Sequence, residues 1–316
     1  MDSILDPTIL FFCLGVLAVW FKSNIEIPAP TMKFLSYYLL MSIGFKGGIA
    51  LAKAEFTTEM GWTFLAGLVC AVLIPTWLFF WLKTKLNSTQ AAGISACYGS
   101  VSAVTFLTAI TWIENNNQTF SGHFVALMAL MESPAIILGI FLSKYGSKTS
   151  NSNFKIKETL HDAFFNGSIF LMMGSLAIGY VMNPTRAADY QTFIYDIFKG
   201  FLCFFLLDLG MTAAKQVRDL KAQAVFLGIT ALLAPLVNAT LGLLLAMWIG
   251  LKPADGFLFI ILLASASYIA VPAALKTSLP DANPSLYLSM SLGITFPFNL
   301  LIGIPLYWTV AQKFLS

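Results

Sequence analysis

The stretch Gly-Ser-Val-Ser-Ala-Val-Thr at residues 99–105 interrupts an apolar segment in the first half of this chain. The stretch Ser-Ala-Ser-Tyr-Ile-Ala-Val-Pro at residues 265–272 interrupts another apolar segment in the second half. Serine and threonine hydroxyls compete for backbone hydrogen bonds, glycine relaxes the backbone, and proline removes a donor. Interrupting a helix in hydrocarbon is costly unless the freed polar groups face protein, water or a ligand. We therefore expect both stretches to break membrane-spanning helices inside the protein.

The composition of the chain indicates an all-α membrane protein. Of its 316 residues, 58% are hydrophobic and only 10% are charged, and the mean hydropathy is +0.80. An ordinary soluble domain carries about 25% charged residues. Most of the exterior must therefore face lipid. The net charge of +3 is small and dispersed, which argues against a nucleic-acid partner.

About ten apolar runs approach the roughly 20 residues that a spanning helix needs. They fall into two sets of five, so we expect a first five-helix repeat at residues 1–143 and a second at 159–316. A polar linker at residues 144–158 separates the two repeats. The predicted spans are 7–22, 32–52, 61–82, 90–112, 120–143, 160–182, 191–214, 221–250, 254–277 and 285–312.

Landmarks of the first half recur in the second half after a shift of about 165 residues, as in an internal repeat. An odd number of spans in each repeat makes the second copy enter the membrane from the opposite side, so the repeats are predicted to be inverted. Inverted repeats with interrupted helices are typical of secondary transporters. The paired landmarks are Ser42 with Asp208, Pro75 with Pro235, Ser102 with Ser267, and Pro134 with Pro297.

The distribution of lysine and arginine predicts the orientation in the membrane. Of the 18 such residues, twelve follow the odd-numbered spans and five lie on or near the opposite side, while Lys46 lies within a span. Cytoplasmic loops carry the excess of positive charge. We therefore expect a plasma (inner) membrane protein with both termini outside the cytoplasm and the linker inside it.

The two interruptions are predicted to form an anion site. Breaks at equivalent points of inverted repeats meet near the midplane of the membrane. The half-helix N-termini that follow them would direct unpaired N–H groups and partial positive charge at a bound anion. The alternative is close helix packing by small residues, with serine hydroxyls bonding between helices.

Among the charged residues within predicted spans, Lys46, Glu132 and Asp208 are the candidates for a role inside the membrane. Each should face the protein interior and have a partner, because a charge in hydrocarbon costs several kcal/mol. Lys46 paired with a carboxylate could join the two halves or replace a bound cation, and Glu132 could bind Na⁺ through its oxygens. The alternatives are a structural pair of Lys46 with Asp208, a protonated Glu132, and an Asp208 that snorkels to the interface.

Asn299 follows Pro297 in the last predicted span. A carbonyl left free by the proline could join the Asn299 amide in binding a cation. A role in packing is the alternative.

The sequence from Ala264 to Asn299, which includes Leu-Pro-Asp-Ala-Asn-Pro-Ser at 279–285 and Gly-Ile-Thr-Phe-Pro-Phe-Asn at 293–299, resembles the sodium-dependent bicarbonate transporter family. Residues 43–48 and 99–105 fit the same pattern, and the resemblance runs from about Ile9 to the C-terminus. The family implies a ten-helix, five-plus-five inverted repeat with interrupted fourth and ninth helices, a core and a gate subdomain, and a homotrimer. It also implies Na⁺-driven uptake of bicarbonate by an elevator-like movement.

The resemblance also implies site residues. Its anion site would use Ser100, Val101, Ser102, Ala103, Ser265 and Ser267, and its Na⁺ site Ser102, Thr105, Glu132 and Asn299. Some members of the family carry an aspartate where this chain has Tyr268 and a hydroxyl where it has Lys46. Those members also have a longer central segment and a small cytoplasmic regulatory protein, and the short linker argues against that partner here.

The predicted function is therefore symport of bicarbonate with Na⁺ by alternating access, with Na⁺ as coupling ion and no other cofactor. The alternative within transport is another small inorganic or organic anion with altered or no sodium coupling, in which Lys46 acts as counter-charge. The alternative outside transport is a membrane-embedded enzyme or a sensor. A hydrolase needs a nucleophile with a base, and the two histidines, His123 and His161, lie near span ends, so we expect no enzymatic activity.

Overall fold

The computed structural model describes residues 7–143, 167–182, 188–217 and 224–316. Within these ranges the chain forms helices and turns, without strands. Seven helical segments are long and apolar enough to cross a bilayer. The prediction of an all-α membrane protein is thus confirmed, whereas the count of ten spans and the inverted repeat remain predictions. The predicted linker at 144–158 and His161 lie outside the described residues.

Twelve helices are named here in chain order, and α12 is a single helical segment of mixed type. One π-helical turn, Thr192–Asp196, precedes α8, and two more, Ser289–Thr295 and Asn299–Gly303, lie within α12 on either side of Pro297. The helices are α1 (Pro7–Trp20), α2 (Ala29–Ala52), α3 (Thr58–Leu82), α4 (Ser88–Gly99), α5 (Ala103–Asn115), α6 (His123–Ser143), α7 (Gly167–Val181), α8 (Ile197–Val217), α9 (Ala224–Ile249), α10 (Pro253–Ala264), α11 (Ala270–Ser278) and α12 (Pro284–Phe314).

Four helices pack as two close pairs, α1 with α8 and α2 with α7, and we call them together the paired bundle. Glycines at the contacts let the backbones approach closely, as in other membrane helix pairs. A Cβ on Gly15 of α1 would overlap the carbonyl of Leu207, and a Cβ on Gly210 of α8 would overlap the carbonyl of Phe12. The glycines therefore hold α1 and α8 at backbone contact.

The remaining helices, α3–α6 and α9–α12, form what we call the broken-helix bundle. Helices α3, α4 and α6 pack on one another, as do α9, α10 and α12. The indole N–H of Trp77 donates to Asn238 Oδ1 at 3.2 Å, which ties α3 to α9. The hydroxyls of Tyr98 and Thr295 are 2.6 Å apart, and Thr295 donates to the carbonyl of Ala231. These polar contacts join helices from the two halves of the sequence inside an apolar bundle.

The outer faces of α3 and α9 are apolar and exposed. Leu65, Val69 and Leu73 on α3 and Leu233 and Val237 on α9 are each more than a third exposed. Such faces fit lipid, whereas Asn238, which accepts the hydrogen bond from Trp77, is buried. The fold therefore places α3 and α9 at the periphery and the two broken helices inside.

The close approach of α1 and α8 gives the first prediction. Gly210→Ala should lower the thermal stability of the detergent-solubilised protein, because its Cβ meets the Phe12 carbonyl and overpacking costs about 1–3 kcal/mol. Gly174→Ala on α7 is the matched control, since no atom lies within 4 Å of its Cβ. Thermal unfolding followed by size-exclusion chromatography would measure both variants. Equal melting temperatures for the two would contradict the packing described for Gly210.

Candidate functional site

The first broken helix stops at Gly99 and resumes at Ala103. Ser100 is fully extended, with φ −93° and ψ 179°, and Ser102 has φ −95° and ψ 107°. Ser102 then caps α5, because its Oγ accepts from the Thr105 N–H at 3.2 Å and from the Thr105 hydroxyl at 2.9 Å. The serines predicted to interrupt the helix thus end α4 and begin α5.

The second broken helix stops at Ala264 and resumes at Ala270. Ser265 is extended, with φ −87° and ψ 167°. The Oγ of Ser267 accepts from the Val271 N–H at 3.3 Å, so it supports the first turn of α11. Both breaks therefore use a serine to satisfy an amide at the start of the second half-helix.

The two breaks bond to each other. The Ser102 N–H donates to Ser265 Oγ at 3.0 Å, and the Ser267 N–H donates to the carbonyl of Cys97 at 2.7 Å. Extended backbone in hydrocarbon needs such partners, because no water is there to replace them. The predicted meeting of the interruptions is therefore present as direct hydrogen bonds. The amides of Ser102 and Ser267 are occupied in this conformation, so a bound anion would have to use other donors.

A cavity of about 40 Å³ lies between these breaks and the paired bundle. Its volume is several times the roughly 10–15 Å³ of comparable space that one water needs. Residues from both breaks and from six helices form its walls. They are Ser36, Leu39 and Leu40 of α2, Val101 and Ser102 of the first break, Ala103, Val104 and Leu107 of α5, Met128 and Glu132 of α6, Met172 of α7, Phe205 of α8, Ser267, Tyr268 and Ile269 of the second break, and Ala270 of α11.

The predicted anion-site residues divide into two groups. Val101, Ser102, Ala103 and Ser267 line the cavity. Ser100 and Ser265 do not line it, although they are buried in the same breaks, with exposures of 1% and 0%. The Oγ of Ser265 accepts from Ser102 and donates to the Leu262 carbonyl, so it braces the break.

The predicted sodium ligands divide in the same way. Glu132 of α6 lines the cavity, as does Ser102. Thr105 does not line the cavity, but its hydroxyl donates to Ser102 Oγ from behind and is buried. Glu132 and Ser102 are therefore the two predicted ligands that share one cavity, with Thr105 adjoining Ser102.

Asn299 is not among the residues that line the cavity. Its amide nitrogen donates to the carbonyl of Ala264, the last residue of α10, at 2.9 Å. Its Oδ1 accepts from the hydroxyl of Tyr307 at 3.2 Å. A carbonyl at the end of a helix has no intrahelical partner, and here Asn299 supplies one from α12. In this conformation Asn299 braces the broken helix from outside the cavity.

Lys46 pairs with a residue that the sequence analysis did not consider. Its Nζ lies 3.4 Å from Glu114 Oε1 at the end of α5. The predicted alternative of a structural pair with Asp208 is therefore wrong. Asp208 is half-buried on α8. Neither Lys46 nor Asp208 lines the cavity.

Tyr268, which stands where some family members carry an aspartate, lines the cavity. Its ring packs against Phe296 with centroids 5.1 Å apart, and the residue is 6% exposed. Its hydroxyl is buried near Ser102 without a well-formed hydrogen bond. A buried hydroxyl without a full partner is a candidate contact for a ligand in the cavity.

The apolar wall of the cavity was not predicted. Leu39, Leu40, Met172 and Phe205 come from three helices of the paired bundle. Their sequence context is that of any apolar span, so no local signal marks them. These four residues belong to the site only because the paired bundle packs against the broken-helix bundle there.

The electrostatics of the cavity suit a cation together with an anion. Glu132 brings a carboxylate, and the first turns of α5 and α11 bring the partial positive charge of helix N-termini. Opposite charges a few ångströms apart attract strongly where water is excluded. The site therefore brings a carboxylate and two helix N-termini to one small cavity.

Comparison with known proteins assigns the chain to a family. No curated protein matches it individually. Residues 7–312 match the sequence profile of the Na⁺-dependent bicarbonate transporter superfamily, a class of transporters rather than of enzymes. The match runs from α1 through both breaks into the last turns of α12. It confirms the resemblance noted in the sequence, and this multi-pass membrane protein accordingly belongs to the Na⁺-dependent bicarbonate transporter superfamily.

Proposed function

We propose that this protein imports bicarbonate together with Na⁺ by alternating access. The observation that carries the proposal is one cavity in which two helix breaks and the carboxylate of Glu132 meet. Membership in the superfamily supports Na⁺ and bicarbonate as the transported ions. The cavity supports their binding next to each other inside the membrane.

The anion end of the proposed site consists of Val101, Ser102, Ala103 and Ser267, with Tyr268 beside them. The first amides of a helix have no intrahelical partner, and those of α5 and α11 begin at this cavity. Serine hydroxyls can add donors to the oxygens of bicarbonate. Ser100 and Ser265 would support this end indirectly, by shaping the breaks.

The cation end of the proposed site is Glu132 with Ser102, backed by Thr105. Carboxylate and hydroxyl oxygens suit a hard cation such as Na⁺. A cation held there would offset the charge of the anion and lower the cost of carrying both through hydrocarbon. Binding of Na⁺ and bicarbonate would thus be coupled through their mutual attraction.

The division of the cavity wall supports an elevator-like movement. The broken-helix bundle contributes Glu132, Ser102, Ser267 and Tyr268, whereas the paired bundle contributes one polar residue, Ser36, and the apolar residues Leu39, Leu40, Met172 and Phe205. A mainly apolar wall makes few directional contacts with an ion. The broken-helix bundle can therefore carry both ions past the paired bundle without breaking the site, as in other transporters built on repeats.

The remaining expectations are part of the same proposal. They are ten spans in a five-plus-five inverted repeat, insertion in the plasma (inner) membrane with both termini outside the cytoplasm, and a homotrimer. Na⁺ acts as the coupling ion, and no other cofactor is proposed. The short linker at 144–158 gives no support to a cytoplasmic regulatory protein.

A second candidate substrate is a small organic acid. The observation that favours it is the apolar wall, since leucine, methionine and phenylalanine side chains would contact a short carbon chain beside a carboxylate. Uptake of labelled bicarbonate and of short carboxylates into proteoliposomes, with and without a Na⁺ gradient, separates the two substrates. We expect bicarbonate uptake that depends on Na⁺. Na⁺-dependent uptake of a carboxylate alone would replace bicarbonate in the proposal.

The anion end gives a test by mutation. Ser102→Ala combined with Ser267→Ala should reduce Na⁺-stimulated bicarbonate uptake at least about tenfold, because it removes two donors and two helix caps at the cavity. Thr309→Ala is the control, since that exposed hydroxyl bonds within α12. Unchanged uptake by folded double mutant would count against the site.

The cation end gives a separate test. Glu132→Gln should raise the Na⁺ concentration needed for half-maximal uptake by about tenfold or more, because it removes the carboxylate charge at the cavity. Glu55→Gln is the control, since Glu55 is exposed and outside this cavity. Measuring uptake against Na⁺ concentration checks the prediction. An unaltered Na⁺ dependence would remove Glu132 from the sodium site.

Asn299 distinguishes bracing from sodium binding. If it braces α10, Asn299→Asp should impair uptake more than Asn299→Ala, because a carboxylate would face the Ala264 carbonyl. The loss of the bond alone costs about 1–3 kcal/mol. As a sodium ligand, the aspartate would keep an oxygen and add charge, so the Na⁺ requirement would stay the same or fall. Na⁺ titration and thermal unfolding of both variants decide between the two roles.

A further inference from the structure

The ion pair of Lys46 and Glu114 joins the two bundles away from the cavity. Lys46 belongs to α2 of the paired bundle, and Glu114 lies at the end of α5 in the broken-helix bundle. Lys46 Nζ is 3.4 Å from Glu114 Oε1. The contact is therefore a charged bridge between the parts that the proposed transport cycle would move.

The pair lies on one side of the cavity only. On α2 the cavity is lined at Ser36, Leu39 and Leu40, and Lys46 lies about 9 Å further along the helix axis. On α5 the cavity is lined as far as Leu107, and Glu114 lies about 10 Å further on. Both steps run toward the C-terminal ends of α2 and α5. The lysine and arginine distribution predicts that these ends face away from the cytoplasm.

Two aromatic rings, one from α8 and one from the turn before it, lie beside the Lys46 ammonium group. Its Nζ lies 4.2 Å from the centroid of the Tyr195 ring and 4.5 Å from that of Phe198. Ammonium groups are attracted to aromatic faces, most strongly where water is excluded. The Lys46 side chain is 4% exposed, whereas that of Glu114 is 26% exposed. The Lys46 ammonium group is thus shielded from solvent, whereas the Glu114 carboxylate is partly exposed.

A third charge limits the stability of the contact. Lys199 lies close enough to repel Lys46, and its Nζ donates to Asn115 Oδ1 at 2.9 Å beside Glu114. Loss of Glu114 would leave Lys46 buried without the counter-charge that lies 3.4 Å from its Nζ. Removing one partner of a buried pair is strongly destabilising for the state that buries it.

We infer that the Lys46–Glu114 pair is a latch that closes the cavity on the non-cytoplasmic side. The latch forms when the bundles meet on that side and parts to let the ions reach the cavity. The inference rests on the proposed alternating-access function, and it adds the contact that controls access from one side. Lys46 acts here through Glu114 and through the position of the bundles, away from the transported ions.

The test measures access to the cavity without any substrate. A reporter cysteine at Leu40→Cys, in a background without the four native cysteines, is labelled in proteoliposomes with a membrane-impermeant maleimide. Glu114→Gln should speed labelling from the non-cytoplasmic side by roughly tenfold or more, because the closed state loses its counter-charge. Lys46→Glu combined with Glu114→Lys should slow labelling again. Glu55→Gln is the control and should leave the rate unchanged.

Unchanged labelling in Glu114→Gln, or faster labelling from the side of the linker alone, would overturn the latch. Because neither Na⁺ nor bicarbonate takes part, a wrong substrate assignment would leave these results intact. Conversely, loss of Na⁺-dependent uptake in the cavity variants would not alter the labelling rates. The two proposals therefore fail separately.

A second pair of variants covers the case in which Glu114→Gln does not fold. Lys46→Cys with Glu114→Cys can be joined by a short, cleavable bis-maleimide. Cross-linking should stop uptake and protect the reporter from labelling on the non-cytoplasmic side, and cleavage should restore both. Continued uptake by fully cross-linked protein would overturn the inference.

Discussion

The hydrogen bonds between the two helix breaks constrain the rest of the structure. The Ser102 N–H donates to Ser265 Oγ, and the Ser267 N–H donates to the Cys97 carbonyl. Hydrocarbon offers no water to these groups, so each break needs the other as its partner. This requirement brings the two halves of the chain together at one level. It also leaves the starts of α5 and α11 beside the same cavity.

The two bundles contribute different kinds of side chain to the cavity wall. Glycine contacts such as Gly15 with Leu207 hold the paired bundle at backbone distance, and its side chains give the cavity an apolar wall. The broken-helix bundle supplies Glu132, Ser102 and Ser267. In the proposed function, the broken-helix bundle would bind the ions and the paired bundle would provide the facing apolar wall. Bracing contacts such as Asn299 with the Ala264 carbonyl keep the broken-helix bundle intact.

How far the site could be predicted depends on the range of the interactions involved. Ser102 and Ser267 were identifiable because hydroxyl and small residues disrupt helices locally. Glu132 stood out because a carboxylate in an apolar run is costly. Glu114 was not identifiable, because its position at the end of α5 is typical of an exposed loop charge. Only the structure shows its contact with Lys46. The bracing role of Asn299 was likewise hidden, because the carbonyl it contacts belongs to a different helix.

The sequence by itself determined that the chain is helical, membrane-embedded and broken at two matching points, because hydrophobicity and helix disruption are local properties of the residues. Tertiary structure alone decided which side chains share the cavity, which carboxylate neutralises Lys46, and which serine amides are already occupied. Those outcomes depend on distances of a few ångströms between segments far apart in the chain. The strength of a hydrogen bond or an ion pair changes sharply over such distances. The sequence of an apolar span, by contrast, does not reveal which helices it packs against.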